Sequence, residues 1–127
     1  MVLCLVDDLI FSIKISTAAK ALAVPVFFER SADMALPRIV EKQPSLVIFD
    51  LNSAKLRPLE IIALVKADPA LKAIRTIGYV SHAHTDLILG ARGAGIDEVL
   101  ARSAFSDRLG EILSSSSTTP ANPRQAG

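Results

Sequence analysis

Ser45–Phe49 reads SLVIF and stops at Asp50. Its apolar residues follow one another without polar alternation, the pattern of a strand covered on both faces, as in a parallel sheet. The acid that ends it stands at the strand's carboxyl end. Val2–Val6 (VLCLV) has the same form and stops at Asp7 and Asp8. Two buried strands that each run into carboxylates make the frame from which the rest of the chain is read.

Between and beyond these strands the pattern alternates. Leu9–Ala23 is long, rich in helix formers and marked by Lys14 and Lys20, so its length favours a helix. Pro25 breaks the chain, and Val26–Glu29 reads as a strand. Ser31 suits the N-cap of a helix over Ala32–Glu41, with Pro37 predicting a kink or a short, irregular helix. After Asp50, Leu51–Arg57 is polar and irregular. Pro58 fits the first turn of a helix to about Ala67, because its missing N–H has no partner to lose there. Ile74–Val80 is a fourth strand. Thr85 or Asp86 can cap a helix through about Arg92, closed by Gly93 and Gly95. Glu98–Ala101 is a fifth strand and Phe105–Leu113 a last helix. Residues 1–113 thus form one domain, and residues 114–127, hydroxyl-rich and then Pro-containing, read as a flexible polar tail. Strand–helix alternation implies an α/β fold with a doubly wound, five-stranded parallel sheet and five helices. Right-handed crossovers leave few topologies. The flavodoxin-like order 2-1-3-4-5 is the commonest small solution, with its site at the carboxyl ends of strands 1 and 3.

Composition narrows the function. The chain has 127 residues, half of them apolar, and 14 basic against 13 acidic side chains for a net charge of +1. That balance argues against nucleic-acid binding by bulk charge. No apolar run approaches the roughly 18–20 residues of a membrane span, and the first residues lack the basic flank of a secretory signal. A mean hydropathy of +0.41 with 5% aromatics points to an aliphatic core. A single cysteine, Cys4, excludes a disulfide framework and suits a cytoplasmic location; Cys4 itself reads as a small buried hydrophobe.

In the proposed sheet the first and third strands are neighbours, so Asp7, Asp8 and Asp50 are expected to meet in one cleft. Clustered carboxylates raise one another's pKa unless a cation sits among them. Oxygen-only ligands in a partly solvated cleft suit Mg²⁺, and a carboxylate beside the ion can take a phosphoryl group as a nucleophile. Ser81 follows strand 4 and Arg102 follows strand 5 on the same edge, where a hydroxyl and a cation could meet a phosphoryl oxygen.

With these residues in view, LVDD at Leu5–Asp8, LVIFDLN at Leu46–Asn52, GYVS at Gly78–Ser81 and GIDEVLARS at Gly95–Ser103 resemble the receiver domain of two-component response regulators. The resemblance spans about Val2–Leu113. It implies a single-domain receiver in a phosphorelay, a signalling domain rather than an enzyme. Asp50 matches the phospho-acceptor, Asp7 and Asp8 the acidic pair at the Mg²⁺, and the backbone carbonyl of Asn52 the remaining protein ligand. Ser81 matches the switch hydroxyl. A histidine kinase or phosphotransferase is implied as donor, with a downstream protein partner and, by analogy, a homodimer through helices 4 and 5.

Four positions depart from the pattern. Arg102 stands for the usual lysine, and its planar fork differs in reach from an ammonium. Ser103 stands for a proline that usually follows a cis bond; without proline a cis bond costs about 2.5–4 kcal/mol, so a trans bond is expected. Val99 stands for an aromatic switch residue, and His82 for a small one. These motivate the alternative of a degenerate receiver, a protein-interaction module independent of phosphorylation. An unrelated flavodoxin-like enzyme or ligand-binding domain is a further alternative. His82 and His84 lack a third soft ligand nearby for zinc, and the glycines of GARGAG at 90, 93 and 95 follow a helix rather than open one, unlike a dinucleotide loop. Leu9, Ile10, Phe11 and Ile13 crowd one helix start, and a helix turning by about 100° per residue cannot bury all four; some are expected to be exposed beside the acids.

Overall fold

β1 (Val2–Leu5) and β3 (Leu46–Asp50) run parallel, with Leu3 opposite Val47 and Leu5 opposite Phe49. Both are buried along their whole length, as their unbroken apolar runs require. The structure is a computed structural model that describes residues 1–81 and 84–117. β2 (Val26–Phe28) pairs with the free side of β1, and β4 (Arg75–Val80) and β5 (Glu98–Ala101) extend the sheet beyond β3. All pairs are parallel and the order is β2-β1-β3-β4-β5, the flavodoxin-like order expected from the sequence. The connections are α1 (Leu9–Ala21), α2 (Ala32–Lys42), a 3-10 turn at Ala54–Leu56 with α3 (Pro58–Ala67), and α4 (Thr85–Ala94); α5 (Arg102–Ser117) follows β5.

Alternation along the strands divides the core in two. Val2, Cys4, Leu46, Ile48, Ile77 and Tyr79 pack with Phe11 and Ile15 of α1 and Phe105, Leu109 and Ile112 of α5. Leu3, Leu5, Val47 and Phe49 face the other way, toward Ala35 and Ile39 of α2, Ile62 and Val65 of α3 and Ala91 of α4. Cys4 is a buried free thiol, and burial pushes its pKa up, so it stays protonated and inert.

Several boundaries differ from the sequence reading. α1 stops at Ala21 rather than Ala23, because Leu22 caps it and Ala23 takes a left-handed φ of 57° before Pro25. α2 runs unbroken through Pro37. That proline forfeits only a bond to the carbonyl of Asp33 in the first turn, while Ala35 and Ile39 anchor the helix on either side. His84, not Thr85 or Asp86, occupies the N-cap position of α4, with no side-chain cap. α5 begins at Arg102, three residues ahead of Phe105, and continues to Ser117, four past the expected end. The hydroxyls of Ser115 and Ser116 donate back to the carbonyls of Ile112 (3.0 Å) and Leu113 (2.7 Å), so these residues continue a helix that buried Phe105, Leu109 and Ile112 anchor. Residues 118–127 of the expected tail lie outside the described residues.

The floor of the sheet, opposite the acids, is pinned by one lysine. Lys66 of α3 donates from Nζ to the carbonyls of Lys72 and Ile74 and to Asp97 Oδ2, each at 2.9 Å. The same oxygen accepts from Thr76 N (2.8 Å) and Oγ1 (2.9 Å) at the start of β4. Burial pushes the Asp97 carboxyl up, but the bonds from Lys66 and Thr76 outweigh it and hold the group below the usual carboxylate range. A carboxyl held low in the folded state stabilises the fold above its unfolded pKa of about 3.9, and the benefit is lost as pH falls through the lower folded value. Asp97→Asn is therefore expected to lower the melting temperature at pH 7 and to approach the parent protein as pH drops below about 4. Equal gaps at both pH values would contradict this.

Gly78 of β4 lies under Leu51 and Ile96: a Cβ there would sit 2.8 Å from Leu51 Cδ1 and 2.9 Å from Ile96 Cδ1. Both neighbours are buried and cannot retreat freely. Gly78→Ala is expected to cost about 1–3 kcal/mol by overpacking, read from the shift of the urea unfolding midpoint at unchanged slope.

Candidate functional site

The site is built where β1 and β3 end side by side. Asp50 closes β3, only 5% exposed, and Leu51 N bonds across to Tyr79 O of β4 at 3.0 Å. Burial is the first cause that raises the pKa of Asp50; bonds from the backbone N–H groups of Asn52 and Asp7 work against it, Asp8 adds to it and Arg102 opposes it. The Asn52 N–H reaches Asp50 Oδ1 at 3.1 Å. Asp50 forms no ion pair among the described residues, and the hydrogen bonds it accepts come from main-chain N–H groups.

Asp7 and Asp8 follow β1 and diverge in their contacts. The Asp8 carboxylate caps α1, accepting from Ile10 N (2.8 Å) and Phe11 N (3.2 Å) through Oδ1. Its other oxygen is ion-paired with the guanidinium of Arg102 at the start of α5. Asp7 is more exposed, and its carboxylate pairs with Lys55 at 3.3 Å. Among the described residues, no group of three or more His, Cys, Asp or Glu side chains is set to hold one metal ion. Asp50 takes a bond from the Asp7 backbone and feels the charge of Asp8, and side-chain cations engage the carboxylates of Asp7 and Asp8. The repulsion among the three acids is relieved by Arg102 and Lys55.

Asn52 does more than its backbone predicts. Its Oδ1 accepts from Ser81 N at 2.7 Å, tying the loop after β3 to the end of β4. Ser81 shares an open cavity with Ala101, Arg102 and Ser103, so the expected hydroxyl and cation do lie on one side of the site. The described peptide bonds are all trans, including that before Ser103. Val99 lies half-buried in β5 against the core on the α3 and α4 side, and His82 lies outside the described residues.

Three contributors escaped the sequence reading. Lys55 sits in the irregular loop after β3, where no periodicity marks it. Phe11 is buried and carries the Arg102 guanidinium 4.6 Å from its ring centroid; only its position three residues after Asp8 hinted at a place by the site. Tyr79 stacks on Phe105 and leans on Phe11 at 4.9 and 4.7 Å, with its buried hydroxyl unpartnered among the described residues. Burial and the nearby Asp50 and Asp8 push its pKa up, so it stays a neutral phenol. Leu9, Ile10 and Ile13 are 64, 65 and 56% exposed beside the acids, whereas Phe11 is buried, which resolves the crowding at the start of α1.

The fold is that of response-regulator receiver domains. A response regulator from Hahella chejuensis superposes with a TM-score of 0.81 at 18% identity, covering 93% of this chain and 95% of the other. A phosphorylated cyanobacterial phytochrome response regulator gives 0.70 at 23% identity, covering 90% and 88%. The receiver domain of a Pseudomonas aeruginosa sensor histidine kinase, with a magnesium ion coordinated in its active-site cleft, gives 0.77 at 16% identity, covering 91% and 94%. No protein-family model and no curated protein matches the sequence. Among the described residues, no helix is long and apolar enough to cross a membrane.

A buried acid whose pKa is raised weighs against the folded state once ionised; the penalty is absent below the unfolded pKa of about 3.9 and complete above the folded one. Asp50→Asn is thus expected to raise the melting temperature at pH 7 in the presence of a chelator. The gain should fade as pH falls toward about 4. A loss of stability at pH 7 would contradict the burial argument.

Proposed function

We propose that this chain is a receiver that takes a phosphoryl group on Asp50 in two-component signalling. The observation that carries the reading is the buried Asp50 carboxylate, paired with no side-chain cation among the described residues, beside Asp8 and within the reach of a loop that joins Asn52 to Ser81. The oxygen donors suit a hard divalent ion, with Asp8, Asp50 and the backbone carbonyl of Asn52 as the residues to hold Mg²⁺ and Asp7 as their acidic neighbour. When bound, such an ion offsets the charge of the transferring phosphoryl group.

The protein's own part is positioning. Asn52 N–H holds Asp50 Oδ1 in place. An Asp50 oxygen forms the new O–P bond while the N–P bond of a phosphohistidine donor breaks and the electron pair leaves with the imidazole. Ser81 and Arg102, which line one cavity, supply a hydroxyl donor and a cation to the new phosphoryl oxygens. The added charge of about −1.5 to −2 then draws Arg102 inward from the rim and alters the surface of β4, β5, α4 and α5 offered to a downstream partner. Leu9, Ile10 and Ile13, exposed next to the acids, suit contact with a histidine kinase or phosphotransferase. A cytoplasmic location and a signalling rather than enzymatic role follow from the same reading.

One observation favours a second reading, a receiver-like interaction module that no longer responds to phosphate: Arg102 and Lys55 already engage Asp8 and Asp7. Intact mass after incubation with Mg²⁺ and a small acyl phosphate separates the two. One phosphoryl addition is expected, and it should disappear in Asp50→Asn. The same addition on that variant would remove Asp50 as acceptor. No addition to the parent, with unchanged partner binding in beryllofluoride, would favour the interaction module.

A further inference from the structure

Arg102 is held at two points, a carboxylate and an aromatic ring. Its guanidinium pairs with Asp8 Oδ2. It lies over the ring of Phe11 at 4.6 Å from the centroid. The ring is itself buried and braced by Tyr79 at 4.7 Å and Phe105 at 6.0 Å. The Phe11 N–H in turn bonds Asp8 Oδ1, so carboxylate, ring and guanidinium form one closed circuit. A planar, weakly hydrated guanidinium can stack on an aromatic face and pair with a carboxylate together; an ammonium has no such fork. Both oxygens of Asp8 are therefore in use, one by the amino end of α1 and one by Arg102.

We propose that Arg102 is an internal counter-ion, clamped on Asp8 by its stack on Phe11, which a divalent cation must displace before it binds, so that Arg102 sets the metal affinity of the site. The inference rests on the receiver reading of Asp8 as a metal ligand. The α1 bonds to Oδ1 belong to the helix cap and stay, whereas Arg102 is the removable partner. Metal then binds only the fraction of molecules in which Arg102 has left Asp8, and the apparent dissociation constant rises by the inverse of that fraction. The site trades one cation for another of higher charge density, and the freed guanidinium becomes available toward the cavity it shares with Ser81 and Ser103.

Titration of the full chain with Mg²⁺ by calorimetry, and with Mn²⁺ by electron paramagnetic resonance, tests this with Arg102→Ala, Arg102→Lys and Asp8→Asn. Circular dichroism in chelator checks that each variant is folded. Arg102→Ala is expected to bind Mg²⁺ about five- to tenfold more tightly than the parent. Arg102→Lys is decisive, because it keeps the charge and loses the fork and the stack: it should also bind more tightly. In the parent protein the Arg102 side-chain NMR resonance should shift in step with metal occupancy. A lysine variant that binds like the parent would overturn the clamp and reduce Arg102 to a background charge, leaving the receiver reading intact. Tighter binding that survives Asp8→Asn would place the metal elsewhere and also overturn it. Absence of Mg²⁺ binding in the parent and every variant would overturn the clamp and the metal-dependent receiver reading together.

Discussion

Parallel pairing of β1 with β3 is the constraint on which the rest depends. Leu5 opposite Phe49 fixes the register, and both strands are buried on both faces. A shift by one residue would send every side chain to the opposite layer of the core, so the apolar packing of two helical layers locks the pairing. The acids that follow these strands are carried to a common edge by that packing rather than by any attraction between them. Three carboxylates at one edge are electrostatically unfavourable, and the fold meets that cost at the residues just beyond the strands.

The solution is distributed over distant parts of the chain. Asp8 shares its charge between the amino end of α1 and Arg102 of α5, Asp7 turns to Lys55, and Asp50 withdraws into the core under main-chain N–H groups. The aromatic group of Phe11, Tyr79 and Phe105 lies beneath Arg102 and gives the guanidinium a fixed platform. The site end of the sheet is thus organised by opposite charges, while the floor is organised by hydrogen bonds that converge on Lys66 and Asp97. The acid end holds its charges in ion pairs near the surface, whereas at the floor polar groups satisfy one another.

Much of the fold was legible in particular stretches. SLVIF and VLCLV announced buried strands by their lack of alternation, Pro58 marked the start of α3, and Glu98–Ala101 appeared as a strand at the expected residues. Boundaries failed where tertiary contacts overrode local signals. Pro37 did not shorten α2, because the flanking residues Ala35 and Ile39 are buried against the sheet. The serines after Leu113 read as a tail, yet Ser115 and Ser116 continue α5 through hydroxyl bonds to the preceding turn. Lys55 and the stack of Arg102 on Phe11 were invisible, because residues 48 and 91 positions from their partners leave no periodic trace.

The sequence by itself determined the alternation of strands and helices, the strand order that short right-handed crossovers permit, and the acids, hydroxyl and cation that the strand ends carry. These follow from local pattern, because burial on both faces and the punctuation of Pro, Gly and Asp are written residue by residue. Only the tertiary structure decided how the charges pair. Whether Asp8 faces another carboxylate or Arg102, and whether Asp50 accepts from main-chain N–H groups, depends on the directions of side chains from β1, β3 and α5. Those directions are set by packing across the sheet and not by spacing along the chain.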